Sequence, residues 1–350
     1  MKCCLEEVMS KSPSFSIIIA NYNYGQYVGD AIESALMQDW TSKEIIVIDD
    51  GSTDDSINTI KEFGNNVLSF FTKNQGQREA NNLGFSMSSG DIIIFLDSDD
   101  ILIKGALREI ASVWHAGVSK IQVLVQRTDA KGRPVGAIMP RIRPGVTPQE
   151  IQKQAWSYLD YPSPPGSGNA WSREFLTKIF PLDSKFDSST DTSCIAMAPY
   201  YGDIVTIDRP LVLYRTHGKN DSNLINGKEN YSREVARAFH RLYAVQCACL
   251  DTGHPLPKYK VLFENSHLLQ LRIASMRLTP TKHSLPGDSL KKAFYDSFKI
   301  FLFSKKKRSL FDGMILIWSI LAIILPSFLA ERMIEFRFSR RILECTILND

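Results

Sequence analysis

Four short apolar runs within the first hundred residues constrain this chain most, because none of them reads as a half-solvated strand. They are Phe15-Ser-Ile-Ile-Ile-Ala20, Glu44-Ile-Ile-Val-Ile-Asp49, Val67 to Phe71 and Ile92-Ile-Ile-Phe-Leu96. A strand that is apolar on both faces must be covered on both faces, which points to a largely parallel sheet between helical layers. Helical spacing fills the gaps. Tyr27 to Gln38 places Val28, Ile32, Ala35 and Leu36 on one face. Ser52 or Thr53 offers a cap for a helix running to about Phe63, and Arg78 to Ser88 suggests a third. Open sheets of this kind bind ligands beyond the carboxyl ends of their strands. Here those ends read Asn21-Tyr22-Asn23, Asp49-Asp50-Gly51-Ser52 and Asp97-Ser98-Asp99-Asp100.

Carboxylates gathered at one sheet edge repel each other unless a cation or a donor-rich ligand joins them. Asp97 and Asp99 stand two apart just past a strand, so both can address one hard cation, Mn²⁺ or Mg²⁺. Mg²⁺ usually takes one or two carboxylates and completes its shell with substrate phosphates. Taken alone, such a pair is equally a solvated turn that caps a helix. The preceding apolar strand and the second acidic strand end favour the ligand reading.

The 350 residues, 44% hydrophobic and 23% charged, exclude a disordered or collagen-like chain and suffice for a large core. A net charge of +3 gives no reason to expect nucleic acid as a partner. Cysteines are few, and neither Cys3-Cys4 nor Cys247-Ala-Cys249 has the spacing of a zinc knuckle. Met1 to Ser14 is polar, with two glutamates and no apolar centre. It is expected to be a flexible arm rather than a signal peptide.

Beyond Ile101 a helix to about His115 is expected, then strands at Ile121 to Gln126 and Val135 to Ile138 joined by turn chemistry at Asp129-Ala-Lys-Gly-Arg-Pro134. Pro140 to Pro148 and Tyr161 to Asn169 read as loops, Arg173 to Phe180 as a short helix, and Ile204 to Ile207 and Leu211 to Tyr214 as short strands. Helix dominates from Ser232 to Cys249 and from Tyr259 to Met276.

Ser16-Ile-Ile-Ile-Ala-Asn-Tyr-Asn23, Ile46-Val-Ile-Asp-Asp-Gly-Ser-Thr-Asp54, Asn74-Gln-Gly with Ala80-Asn-Asn-Leu-Gly84, and Gly90-Asp-Ile-Ile-Ile-Phe-Leu-Asp-Ser-Asp-Asp100 together resemble, in order and spacing, the start of family 2 glycosyltransferases of the GT-A fold. The likeness is specific over residues 15 to 101, weaker to about Asn223 and faint beyond. It implies a GT-A nucleotide-diphospho-sugar transferase fold and a metal-dependent, inverting transfer from a nucleotide-diphosphate sugar to a hydroxyl acceptor. By the same resemblance, Ala20, Tyr22 and Asn23 border the donor, with Tyr22 stacking on the base. Asp49 or Asp50 accepts the imide N–H of the base. Arg78, Asp97, Ser98 and Arg215 contact nucleotide, sugar or diphosphate, while Asp99 and His217 hold the metal. Gly166, Ser167, Gly168 and Asn169 floor the acceptor site. Asp191 is the catalytic base, with Asp187 the nearest other acid. Relatives often show Glu-Asp there; this chain has Thr190-Asp191.

Met314 to Ala330 is apolar all round but only about 26 Å long as a helix, is broken by Pro326, and has basic flanks on both sides. Lys305-Lys-Lys-Arg308 precedes it; Arg332, Arg337, Arg340 and Arg341 follow. This pattern suits a monotopic or re-entrant element on the cytoplasmic membrane surface better than a span. The expected organisation is an arm over 1–14, a GT-A domain over 15–225 divided at 101/102, a helical extension over 226–304 and a membrane-associating tail over 305–350. The acceptor is then expected to be a lipid-linked glycan or envelope polysaccharide precursor, and the location cytoplasmic and peripheral. A nucleotidyltransferase is the first alternative. It would want a glycine-rich basic loop after the first strand, where Asn21-Tyr22-Asn23-Tyr24-Gly25 stands. A non-catalytic nucleotide-sugar-binding protein is the second, supported by Thr190 alone.

Overall fold

The computed structural model describes residues 12–217, 228–303 and 310–347. Residues 1–11 of the expected arm, the expected boundary at 225 and Lys305 to Arg308 lie outside the described residues. The chain divides into two compact units, Met1–Ser184 with Ser188–Thr216, and Lys185–Asp187 with His217–Asp350.

The first unit is built on strands β1 (Phe15–Asn21), β2 (Lys43–Asp49), β3 (Leu68–Phe71), β4 (Ile92–Asp97), β5 (Ile101–Leu102), β6 (Val118–Thr128), β7 (Pro134–Met139), β8 (Asn169–Ser172) and β9 (Asp203–Arg215). Its helices are α1 (Gly25–Leu36), α2 (Ser56–Glu62), α3 (Gln77–Ser86), α4 (Ala106–Ser112), α5 (Pro148–Tyr158), α6 (Arg173–Ile179) and α7 (Thr190–Met197). The strand order is β3-β2-β1-β4-β8-β6-β9-β5, with β7 paired to β6. The four strands read from the apolar runs form the parallel block, and β8 joins it antiparallel to β4.

Both faces of β1, β2 and β4 are covered, as their apolar runs require, whereas β3 lies at the sheet edge and leaves Leu68 and Phe71 exposed, against expectation. Phe15, Ile17 and Ile19 of β1 point into a core shared with Val28, Ala31, Ile32 and Ala35 of α1. On the other face α3 lies so close that a methyl group at Gly84 would come within 2.4 Å of Ile18 Cγ2. Glycine at that position is what lets helix and sheet meet. Register then sets the chemistry: Asn21 pairs with Asp49 and Ala20 with Asp97, so the polar ends of β1, β2 and β4 finish along one edge.

Several local expectations are corrected. Helix α2 begins behind Asp55 rather than Ser52 or Thr53, because the Ser52 amide and hydroxyl both turn back to Asp49. The two short strands after Gly202 are one strand, β9. Residues 148–158 form α5, started by a capping box between Thr147 and Glu150 with Pro148 in the first turn. Asp191 lies inside the first turn of α7.

The second unit contains α8 (Glu229–Thr252), α9 (Ser266–Leu278), α10 (Leu290–Phe303), α11 (Leu310–Ile324) and α12 (Ser327–Ile347). α8, α10, α11 and α12 all pack on α9. Arg272 of α9 is fully buried and makes paired 2.7 Å bonds to Asp288 and a 2.8 Å bond to Asp296. The apolar run 314–330 is broken at Leu325-Pro326 into α11 and α12. Among the described residues no helix is long and apolar enough to cross a membrane.

Candidate active site

At the end of β2, Asp49 accepts from Asn21 Nδ2 at 2.8 Å, Ser52 N at 2.9 Å and Ser52 Oγ at 2.7 Å. It is buried, and its bonds close the Asp49-Asp50-Gly51-Ser52 turn. Gly51 sits at φ +78° with room for no side chain: a Cβ there would lie 2.7 Å from Asn74 N. Asp50 is also buried and accepts from Gln75 N at 2.8 Å and Gly76 N at 2.7 Å, one on each oxygen. Thr72 Oγ1 also donates to Asp50 Oδ1 at 3.5 Å, so each of the two acids is met by three donors.

Tyr22 follows β1 with its ring 46% exposed, the condition for stacking on a flat ligand. Asn23 has a different task. It adopts φ +58°, and its side-chain oxygen accepts from Thr53 N at 2.7 Å while its own amide donates to Ser52 Oγ at 2.9 Å. Its side chain ties two loops together. Arg78, in the first turn of α3, pairs with Glu79 at 3.3 Å. Its neighbour Gln77 donates to Asp97 Oδ1 at 3.1 Å.

The turn after β4 concentrates charge. Asp97 and Asp99 are half-buried, Ser98 is buried and Asp100 is fully buried. Burial, with Asp99 and Asp97 beside it, pushes the Asp100 carboxyl well above the usual range, against the pull of its hydrogen bonds from Ser167 and Arg215. Those bonds are 2.6 Å from Ser167 Oγ and 3.0 Å from Arg215 N. The Arg215 guanidinium is buried too, 2.8 Å from Asp30 Oδ2 and over the Tyr27 ring. So Arg215 anchors the turn through its backbone and is already engaged through its side chain. His217 is the first residue past Thr216 and belongs to the second unit.

The Tyr161 to Asn169 loop turns tightly at Gly166–Gly168. Ser167 Oγ receives Asp97 N at 3.0 Å and donates to Asp100, stitching loop to acidic turn. Asn169 Nδ2 donates to the carbonyls of Pro165 at 2.9 Å and Gly166 at 3.1 Å. Gly168 is packed against Pro164 and Val125. Ser167, Gly168 and Asn169 are therefore buried supports of the turn, and Gly166 is the one of the four that lines the cleft.

That cleft encloses roughly 410 Å³ of empty space, its open mouth included, and is lined by Ala20, Gln77, Asn81, Asp97, Gly166 and Asp191 among others. Asp191 comes from α7, where Ser189 Oγ donates to its Oδ1 at 2.5 Å. Thr190 turns inward, and Asn81 Nδ2 donates to its hydroxyl at 2.9 Å. A neutral pair thus occupies the place where Glu was expected. Asp187 is buried in the second unit against Arg237 at 3.4 Å. Asn21, Gln77, Asn81, Asp100 and Ser189 were not singled out by sequence. Asp100 and Asn21 stand inside the quoted strand-end motifs; the others are identified only by their long-range partners.

Hard oxygen ligands crowded into one turn fit a divalent cation, and the repulsion felt by Asp100 is the charge that a cation would relieve. Among the described residues no group of three or more His, Cys, Asp or Glu side chains is placed to hold a metal ion.

A parallel block whose acidic strand ends face a second carboxylate across one cleft is the arrangement of the GT-A fold. Residues 16–179 match the model for glycosyl transferase family 2, and that part of the chain belongs to the family. An uncharacterised glycosyltransferase of Nostoc, alr2836, is 33% identical over 216 residues, 59% of this chain and 66% of that protein. One from Haemophilus influenzae is 44% identical over 101 residues, 28% of this chain and 40% of its own length. The poly(ribitol-phosphate) β-N-acetylglucosaminyltransferase TarS of Staphylococcus aureus is 28% identical over 127 residues, 35% of this chain and 22% of TarS. The chain thus spans about two thirds or less of these relatives. A crystal structure of TarS 1–349 in complex with UDP-GlcNAc superposes with a TM-score of 0.50 at 15% identity, covering 94% of this chain and 92% of that one, a likeness of fold.

Proposed function

We propose that this glycosyltransferase moves a sugar, with inversion, from a nucleotide-diphosphate sugar to a hydroxyl acceptor, and that Asp191 is its general base. The observation that carries this reading is the cleft in which Asp97, at the donor end, and Asp191 both border Gly166. Tyr22 stacks on the base and Asp49 or Asp50 accepts its imide N–H. Ala20 and Asp97 border the sugar; Ser98, Arg78 and Arg215 shape the diphosphate end. Asp99 would hold Mn²⁺ or Mg²⁺, which when bound would neutralise charge on the leaving diphosphate. Asp191 removes the acceptor proton as the hydroxyl oxygen bonds to the anomeric carbon, and the bond to the diphosphate breaks on the opposite face. TarS supplies the first donor to try, UDP-GlcNAc. Calorimetric titration of UDP-GlcNAc and GDP-mannose with Mn²⁺, followed by assay of nucleotide release, tests the reading. Failure to bind any nucleotide sugar refutes it.

The same proposal places the enzyme on the cytoplasmic face of a membrane, acting on a lipid-linked or envelope glycan. α11 leaves Met314, Ile317 and Ile324, and α12 leaves Phe328, each at least 60% exposed, while Ile315 and Ala322 are buried. An apolar face of this kind, with Arg332 and Arg337 in the following helix, suits an anionic bilayer surface. Flotation of the full chain with phosphatidylglycerol vesicles is expected, and Ile317→Asp with Ile324→Asp is expected to abolish it. Native protein that stays at the bottom of the gradient refutes this placement.

A further inference from the structure

β6 carries a buried lysine with no carboxylate among its hydrogen-bond partners. Lys120 is 0% exposed. Its Nζ donates to Ser163 Oγ at 2.6 Å, Gln122 Oε1 at 3.0 Å and Tyr161 OH at 3.3 Å. Three protons thus meet three neutral oxygens. The ammonium also lies 4.9 Å from the Tyr161 ring centroid and 5.4 Å from that of Trp171. Burying such a group without a carboxylate in contact is costly, so its retention needs a reason beyond packing.

Its partners supply one. Tyr161 and Ser163 open the loop that ends at Gly166, and Tyr161 OH donates onward to the Ile195 carbonyl at 2.9 Å, inside α7. Gln122 Nε2 reaches the Pro162 carbonyl at 3.3 Å and Thr206 Oγ1 at 3.0 Å, fixing the same loop from β6 and β9. The nitrogen thus holds the loop directly, and Tyr161 OH carries that hold on to α7, so the two pieces of chain that bring Gly166 and Asp191 to the cleft are linked through Tyr161. Burial pushes the Lys120 ammonium well below the ordinary lysine range, and the charges of Asp191 and Cys194 oppose that shift.

We propose that Lys120 is a positioning residue, one that locks the Tyr161 to Asn169 loop to α7 so that Asp191 is held at the acceptor end of the cleft. The inference rests on the transferase reading above and adds to it a residue that touches neither donor nor acceptor.

Lys120→Met, Tyr161→Phe and Ser163→Ala test it, the last two being small enough changes to fold if the first does not. With UDP-GlcNAc and Mn²⁺, and water as acceptor, nucleotide release should lose about tenfold or more in kcat while KM for the donor stays within about twofold. Hydrogen exchange of amides in 161–169 and 190–197 should quicken by about tenfold, with β1–β4 unchanged. A general packing defect would instead raise KM and loosen β1–β4 as well, and that result overturns the proposal. So does native kcat with native exchange in Tyr161→Phe and Ser163→Ala. If the native protein binds no nucleotide sugar, the transferase reading falls and the positioning role falls with it, whereas native turnover unaffected by these variants removes Lys120 alone.

Discussion

Asp97 and Asp191 meet at one glycine: a methyl group placed on Gly166 would lie 3.4 Å from Oδ2 of Asp97 and 3.8 Å from Oδ2 of Asp191. The two carboxylates come from segments far apart in the chain, and only the tight turn at Gly166–Gly168 brings the backbone between them. They divide the labour that the proposed reaction needs. Asp97 is at the donor end through Gln77 and the acidic turn, and Asp191 is left for the acceptor.

Asp191→Asn keeps the shape and removes the basicity. Nucleotide release is expected to fall by about 10²–10⁴ with little change in donor affinity. Parallel calorimetry and turnover on the same preparation check this. A loss of donor binding instead would move Asp191 to the donor side.

Asp99→Ala is expected to lose most of the Mn²⁺-dependent part of donor affinity, and EDTA should do the same to the native protein. Titration of UDP-GlcNAc with and without Mn²⁺ reads both. Equal affinities in all conditions would remove the metal from the scheme.

Gly51→Ala should destabilise the first unit by about 1–3 kcal/mol, since its backbone occupies the left-handed region and a Cβ would press on Asn74 N. Urea unfolding measures it. Donor affinity should fall too, because Gly51 sets the turn that carries Asp50.

Asn81 and Thr190 form a buried neutral contact, with Asn81 Nδ2 donating to Thr190 Oγ1. A double-mutant cycle with Asn81→Ala and Thr190→Val should show a coupling of about 1 kcal/mol. Additive losses would mean that the 2.9 Å bond contributes nothing of its own.

In the second unit, burial acts to raise the Asp288 carboxyl, and hydrogen bonds from Arg272 and His283 outweigh it, holding the group at about 2 against an ordinary 3.8. A depressed folded value means that the stabilisation is complete above pH 3.8 and is lost as pH falls through about 2. The contribution is about 2 kcal/mol for this fully buried side chain. Asp288→Asn should flatten the acid limb of helical unfolding followed by circular dichroism between those limits.

What was legible in the sequence was what depends on near neighbours. The four apolar runs, their parallel pairing and the acids at their ends follow from local composition, and the structure places Asp49, Asp50 and Asp97 where the runs stop. Side-chain partnerships across the chain were not legible. Nothing near Ser167 announces Asp100, nothing near Thr190 announces Asn81, and a lysine in a strand gives no sign of a loop forty residues away. For the same reason Ser167 and Asn169, expected at the acceptor, proved to be fastenings of their own turn. Helix α5 is a different case. Its Thr147 and Glu150 carry a local start signal, hidden among the prolines of the preceding loop.

Gly76 and Gln77 are adjacent, yet the first gives its amide to Asp50 and the second gives its side chain to Asp97. One peptide step therefore grips both ends of the strand edge along which a donor would lie. In the proposed donor complex a nucleotide held at both acids would meet that one shared step, so the edge would act as a caliper: it would gauge base and sugar together, and a ligand of the wrong span would not satisfy one jaw without opening the other.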